Sequence, residues 1–294
     1  MKEIKTEIIN TTREIADLVD WLIFRHASPE LLKPTMYIDL EGVDLCREGS
    51  VSILTLLIDT GISVTTRVCL IDVHLLGLQA FNTTGIKQKT LKDILQDEKI
   101  PKVFFDVRND ADALFAHFGV ALQGVMDIQL MESAKRTTTG SRKYLTGLSK
   151  CVEKRAFSDQ ASWKLAKEKG ERLFKPEHGG SFEVFNLRPI PKDIVSYCVG
   201  DVQCLPKLWE TLWKPATVKW RDLVNYETKK RVEASQKPEY QPHGPNMALA
   251  PWNKDQNKAL DEWNYVPTLD DFLDDLNEPE SWDQYDELQL AVGI

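Results

Sequence analysis

The chain has 294 residues, 42% of them hydrophobic and 28% charged. This is the profile of a globular protein with room for one large domain and appendages, and it excludes a fibrous or wholly disordered chain. No run of about 18 apolar residues is present, and the opening MKEIKTEIIN lacks an apolar signal core, so the expectation is an intracellular protein, nuclear or cytoplasmic, with no membrane partner. The net charge of −8 is unevenly spread. Residues 251–294 hold two lysines against twelve Asp or Glu, which leaves +2 on the first 250 residues. The acidic balance therefore does not argue against nucleic-acid binding by the folded part. The five cysteines, at 46, 69, 151, 198 and 204, show neither Cys-x-x-Cys spacing nor an adjacent His cluster for zinc, and read as reduced thiols.

Thr11-Thr12 can cap a helix in which Ile15, Leu18, Val19, Leu22 and Ile23 share one face, ending near Arg25. Beyond Pro34, Met36-Tyr-Ile-Asp-Leu-Glu-Gly42 reads as a buried strand ending on glycine. Side chains alternate across a strand, so Asp39 and Glu41 project from one face while Ile38 and Leu40 pack on the other. Two like charges so close are costly to keep ionised, and a divalent cation between them removes the cost. Alone, Asp-x-Glu also describes a strand end with two solvated acids. Strands over 52–59 and 67–72, joined near Thr60-Gly61, extend a meander, followed by a short helix over 90–97 and an apolar strand at 102–106.

From there helices and strands alternate, so the sheet is expected to be mixed. Residues 109–118 form a helix stopped by Gly119, with Asp110 in its first turn, where the helix dipole favours a carboxylate. Residues 133–155 carry seven basic side chains against Glu153 alone, around the loop Thr137-Thr-Thr-Gly-Ser141. Such a run is either a solvated face or a phosphate-binding surface. A lysine-rich helix over 161–170 and a long polar loop over 174–188 come next. A helix from Pro191 to about Trp213 then places Tyr197 and Asp201 one turn apart on one face, with a kink expected at Pro206. A last helix spans about 215–233. Beyond Ala234 the composition turns Pro-rich and acidic, which predicts a disordered tail over 234–294. Its interleaved Trp252, Trp263, Tyr265, Phe272, Trp282 and Tyr285 also suit a segment that folds onto a protein partner.

Asp39-x-Glu41 on a strand, Asp110 opening a helix and Tyr197-x-x-x-Asp201 on a late helix together resemble the three motifs of the DEDDy 3′-to-5′ exonucleases, the group of ribonuclease D and the Werner-type exonuclease domain. Leu114, Asp127-x-Gln129 and Arg188-Pro189-Ile190 add to the resemblance, which covers about residues 8–212. It implies an α/β fold of ribonuclease H-like type, a mixed five- to six-stranded sheet flanked by helices, with an exonuclease domain over 1–233. It also implies two divalent cations, magnesium or manganese. Asp39 would serve both ions, with Glu41 and Asp201 on one and Asp110 on the other, while Tyr197 would orient the attacking water. The substrate implied is a single-stranded 3′ end, RNA favoured over DNA by family analogy. The basic segment lies where relatives build one wall of the substrate groove, so Arg142 and Lys143 become candidate phosphate contacts.

Some positions depart from the family pattern. The asparagine common just before the second motif has no match in Val103-Phe-Phe-Asp106, Phe185 stands near a common tryptophan, and the loop over 171–186 has no counterpart. Two rival readings compete with an enzyme acting freely. One is a non-cleaving scaffold that works through partners of the tail. The other is a tail that mimics nucleic acid and inhibits the basic groove. Chemistry on a small nucleotide lacks the Gly-rich phosphate loop it would need.

Overall fold

The computed structural model describes residues 3–26, 34–59, 65–154 and 160–265. Six strands, β1 (Glu3–Ile9), β2 (Met36–Glu41), β3 (Ile53–Ile58), β4 (Thr65–Asp72), β5 (Lys102–Phe104) and β6 (Val125–Asp127), form one sheet in the order β1-β4-β3-β2-β5-β6. β2 is central, antiparallel to β3 and parallel to β5, and β1 joins the edge parallel to β4. The sheet is mixed, as the change from hairpin spacing to helix-strand alternation implies. β1 is an element that sequence patterning does not reveal. Its alternation is short, and part of what holds it is the ion pair from Glu7 to Arg67 of β4 at 2.7 Å.

Helices cover both faces. One core joins Ile38, Leu40, Leu54, Leu56 and Ile71 of the sheet to helices α1 (Thr12–His26), α2 (Leu91–Gln96) and α3 (Arg108–Phe118). The other joins Tyr37, Ile53, Leu57, Val68 and Val103 to later helices: α4 (Ile128–Ala134), α5 (Leu148–Glu153), α6 (Gln160–Phe174), α7 (Lys192–Gln203), α8 (Leu205–Trp213) and α9 (Val218–Ser235). Asp39 and Glu41 therefore lie on the Tyr37 face, beneath α7. Among the described residues no helix is long and apolar enough to cross a membrane.

The helix expected from Pro191 to Trp213 is two helices. α7 ends at Gln203, and Pro206 sits in the first turn of α8, where a missing N–H costs nothing, so the chain breaks and restarts instead of kinking. A larger correction concerns the C-terminal segment. Its expected disorder from 234 does not hold through 265, because the chain crosses the domain surface and forms α10 (Lys254–Trp263). Trp252 and Leu260 are buried, the Trp252 indole N–H donates to Ser133 Oγ at 2.9 Å, and Asn264 donates to the Ala134 carbonyl at 2.6 Å. Asn253 and Gln256 form a reciprocal capping box that starts α10. Of the aromatic residues singled out in the tail, Phe272, Trp282 and Tyr285 lie outside the described residues.

Arg142 anchors this segment. Expected at the surface, it is fully buried: its guanidinium pairs with Asp261 and donates to Asn257 Oδ1 at 3.0 Å, to the Asn257 carbonyl at 2.9 Å and to the Arg136 carbonyl at 2.5 Å. A cation so enclosed holds α10 and is not available to a phosphate. Arg142→Ala removes the pairing, and we expect it to lower unfolding free energy by about 2–3 kcal/mol, read by chemical denaturation.

Candidate active site

Four carboxylates from three elements meet at the C-terminal end of β2. Asp39 and Glu41 come from the strand itself, opposite Thr55 and Ile53 of β3. Asp201 comes from α7, packed across the sheet, and carboxylate oxygens of Asp39, Glu41 and Asp201 lie within 4.8 Å of one another. Asp110, in the first turn of α3, is buried close enough for the charge of Asp39 to raise its pKa. Burial and mutual repulsion act together. Burial first and the Asp201 charge second push Asp39 up to about 8, and burial followed by the Asp39 charge raises both Glu41 and Asp110 well above the carboxylate range. Burial also raises Asp201, although Lys167 and Tyr197 pull it back. Hard oxygen donors whose negative charges oppose one another are a fitting donor set for divalent cations such as magnesium or manganese.

Asp110 is held by a network that sequence reasoning only touched. The Asp127 carboxylate accepts the backbone N–H groups of Asp106 at 3.1 Å, Val107 at 3.2 Å and Gln129 at 2.9 Å, fixing the turn from β5 into α3. Asp106 takes a positive φ of 63° in that turn, and Arg108 grips its carboxylate with two bonds of 2.6 Å. Burial alone would raise the Asp106 pKa, but the Arg108 bonds and the Arg231 charge bring it below the usual range. Asp106 is thus held in the turn beyond β5 by arginines, its charge still felt by Asp110, and Arg231 of α9 donates to Asp106 at 3.4 Å, to Asp127 at 2.7 Å and to Gln129 at 3.0 Å. On the other side, Arg188 pairs with Asp72 and donates to the Phe185 and Leu187 carbonyls at 2.8 Å, holding the loop over 174–188 beside β3 and β4.

Tyr197 is buried one turn from Asp201, and burial raises its hydroxyl pKa well above the usual phenol range, so it remains protonated. Against this pair lies α6. Lys167 Nζ donates to Asp201 Oδ1 at 2.5 Å, Asp201 Oδ2 at 2.6 Å and Tyr197 Oη at 2.9 Å, and stands 4.1 Å from the centre of the Tyr197 ring. Lys167 is the residue that sequence reasoning missed. The available signal was the spacing of Trp163, Lys167 and Gly170, which places all three on one helix face. By contrast Lys143 is exposed on its loop, beside the Tyr144 ring, and among the described residues no side-chain contact links it to the carboxylates. A second group near enough to share a cation, Asp44, Cys46 and His243, joins the loop after β2 to the C-terminal segment, although sequence spacing shows no such cluster.

Residues 28–216, well over half of the chain, match a family model described as 3′-5′ exonuclease. The chain belongs to the 3′-5′ exonuclease family. Within it the fold is that of ribonuclease D. Trypanosoma brucei RNase D solved with GMP superposes with a TM-score of 0.64 at 22% identity, covering 88% of this chain and 71% of that one. The same enzyme in complex with RNA gives 0.64 at 21%, covering 88% and 79%. Escherichia coli RNase D gives 0.52 at 17%, covering 79% and 51%. At these identities the likeness is one of fold. In sequence the chain is 35% identical over 92 residues to the mouse piRNA biogenesis protein EXD1 and 34% identical over 92 residues to the human one. The match spans 31% of this chain but only 14% and 16% of those proteins.

The carboxylate pKa values carry a pH dependence. Each lies above its unfolded value, so the stability they contribute is present near pH 4 and is lost as pH rises toward about 8, the Asp39 value. In chelator we expect the melting temperature to fall by about 5 °C between about pH 5 and 8, manganese to reverse the fall, and Asp39→Asn to flatten it, all read by calorimetry.

Proposed function

We propose that the chain engages the 3′ end of single-stranded RNA at this carboxylate site, with phosphodiester hydrolysis from that end as the chemistry the site makes available. The observation that carries it is the convergence of Asp39, Glu41, Asp110 and Asp201 with Tyr197, five side chains from three separate elements. In the role the family implies, Asp39, Glu41, Asp110 and Asp201 would hold two divalent cations, which when bound supply a nucleophilic water at neutral pH and offset charge on the phosphate and the leaving 3′ oxygen. The chain's own part is orientation. The Asp127 and Arg231 network keeps Asp110 at the head of α3, and the packing of α7 on the sheet keeps Asp201 opposite β2. Tyr197, protonated and one turn from Asp201, directs the attacking water without taking its proton. Lys143 remains the candidate phosphate contact of the basic loop, while the buried Arg142 leaves that role. RNA is preferred to DNA because the folds matched include an RNase D bound to RNA, and because the relatives matched in sequence are named for piRNA biogenesis.

A second reading has its own observation. An ammonium already stands on Asp201, so the site can be charge-balanced in part without any divalent ion, which suits a scaffold that holds RNA ends uncut. The sequence relatives weigh toward this reading, since their name describes a part in RNA biogenesis, and the acidic C-terminal segment would then bind the protein partner. Incubating 5′-labelled single-stranded RNA and DNA with manganese, magnesium or chelator, beside an Asp39→Ala, Glu41→Ala double variant, separates the two. Hydrolysis is expected to give a metal-dependent ladder shortening from the 3′ end, at least about 1000-fold slower in the variant. RNA retention without cleavage in both proteins would assign the scaffold.

A further inference from the structure

Lys167 does not reach the carboxylates by chance of a flexible side chain. The backbone of α6 is locked onto α7 on either side of it. Four residues earlier, the Trp163 indole N–H donates to the Gly200 carbonyl at 2.8 Å. Three residues later, Gly170 lies so near Tyr197 that an added Cβ would stand 2.5 Å from the Tyr197 Cβ. Only glycine permits that approach, and it fixes the height of Lys167 over Asp201. The Lys167 side chain is 14% exposed and the Asp201 side chain 6%, so the pair is shielded from competing water.

Charge balance limits what this site can hold at once. Four carboxylates balance two divalent cations in full. With Lys167 present as well, one positive charge is surplus, and it stands on both oxygens of the Asp201 carboxylate. We propose that Lys167 is a resident counter-ion that a divalent cation must displace from Asp201, and that the phosphate of a bound nucleic-acid end accepts the displaced ammonium. Metal and nucleic acid then bind cooperatively, each tightening the other by the same factor. The metal-free site stays closed by its own lysine, and loading is favoured when a substrate phosphate is at hand. The inference rests on the carboxylates being a cation site, as in the reading above, but not on cleavage.

The test reads binding alone. Free manganese is followed by electron paramagnetic resonance as it is titrated into the full chain, with and without uridine 5′-monophosphate, which carries the phosphate and cannot be shortened. Lys167→Met and Lys167→Gln are compared with Lys167→Arg, which keeps the charge. Manganese should bind Lys167→Met and Lys167→Gln at least about fivefold more tightly than the unaltered chain when no nucleotide is present. The nucleotide should tighten manganese binding about tenfold in the unaltered chain and by less than about twofold in those two variants, with Lys167→Arg resembling the unaltered chain. Gln keeps a hydrogen-bonding group toward Tyr197 and Asp201, so one folded uncharged variant suffices. Equal manganese affinity in the unaltered chain and the uncharged variants overturns the role of Lys167 while leaving the cation site standing. No manganese bound by any of them overturns both. Failure of RNA cleavage leaves this measurement unaffected.

Discussion

Like charges forced together at the end of one buried strand govern this molecule. Asp39 and Glu41 share a face of β2 because strand geometry allows nothing else, and that face is the one covered by α7, which brings Asp201 with it. Burial makes each of these carboxylates costly to ionise, and for Asp39 and Glu41 the neighbouring carboxylates add to that cost, so the pKa values all move upward. A domain that retains such a cluster gives up stability to do so, and the cost is met by compensation from positive charge. Lys167 supplies one such charge from within the chain, and a divalent cation is the other kind the donor set fits.

The surroundings are arranged around that constraint. Arginine and aspartate pairs hold the loops and turns that deliver the carboxylates: Arg231 with Asp127 under the head of α3, Arg108 with Asp106 in the preceding turn, and Arg188 with Asp72 beside β3. Planar guanidinium groups suit this work because they bind a carboxylate and several carbonyls at once. The basic run over 133–155 obeys the same logic. Arg136 pairs with Glu132 and Arg142 with Asp261, so much of a charge run that suggests nucleic acid is engaged inside the protein, and the exposed remainder includes Lys143, Lys150 and Lys154.

The C-terminal segment is part of the folded body through Tyr265. Arg47, in the loop after the carboxylate strand, donates to the carbonyls of Ser235, Lys237 and Pro238, and Tyr240 donates to Asn109 at 2.7 Å beside Asp110. The segment thus braces the two elements that carry the first three carboxylates. Its Pro-rich, acidic composition hides this, because the few apolar groups that anchor it, Trp252 and Leu260, are spaced too far apart to form a local pattern.

What the sequence determined by itself was whatever depends on local geometry. Alternation along 36–41 put two carboxylates on one face, the helical turn put Tyr197 beside Asp201, and the order of strands and helices implied a mixed sheet, with the motif set pointing to the exonuclease family. The tertiary structure decided everything that needs a distant partner: β1 against β4, Arg142 buried under α10, and Lys167 over Asp201. Burial and ion pairing are properties of the neighbours a folded chain supplies. An arginine 119 residues from its carboxylate, or a lysine 34 residues from its own, looks in the sequence like any other surface charge.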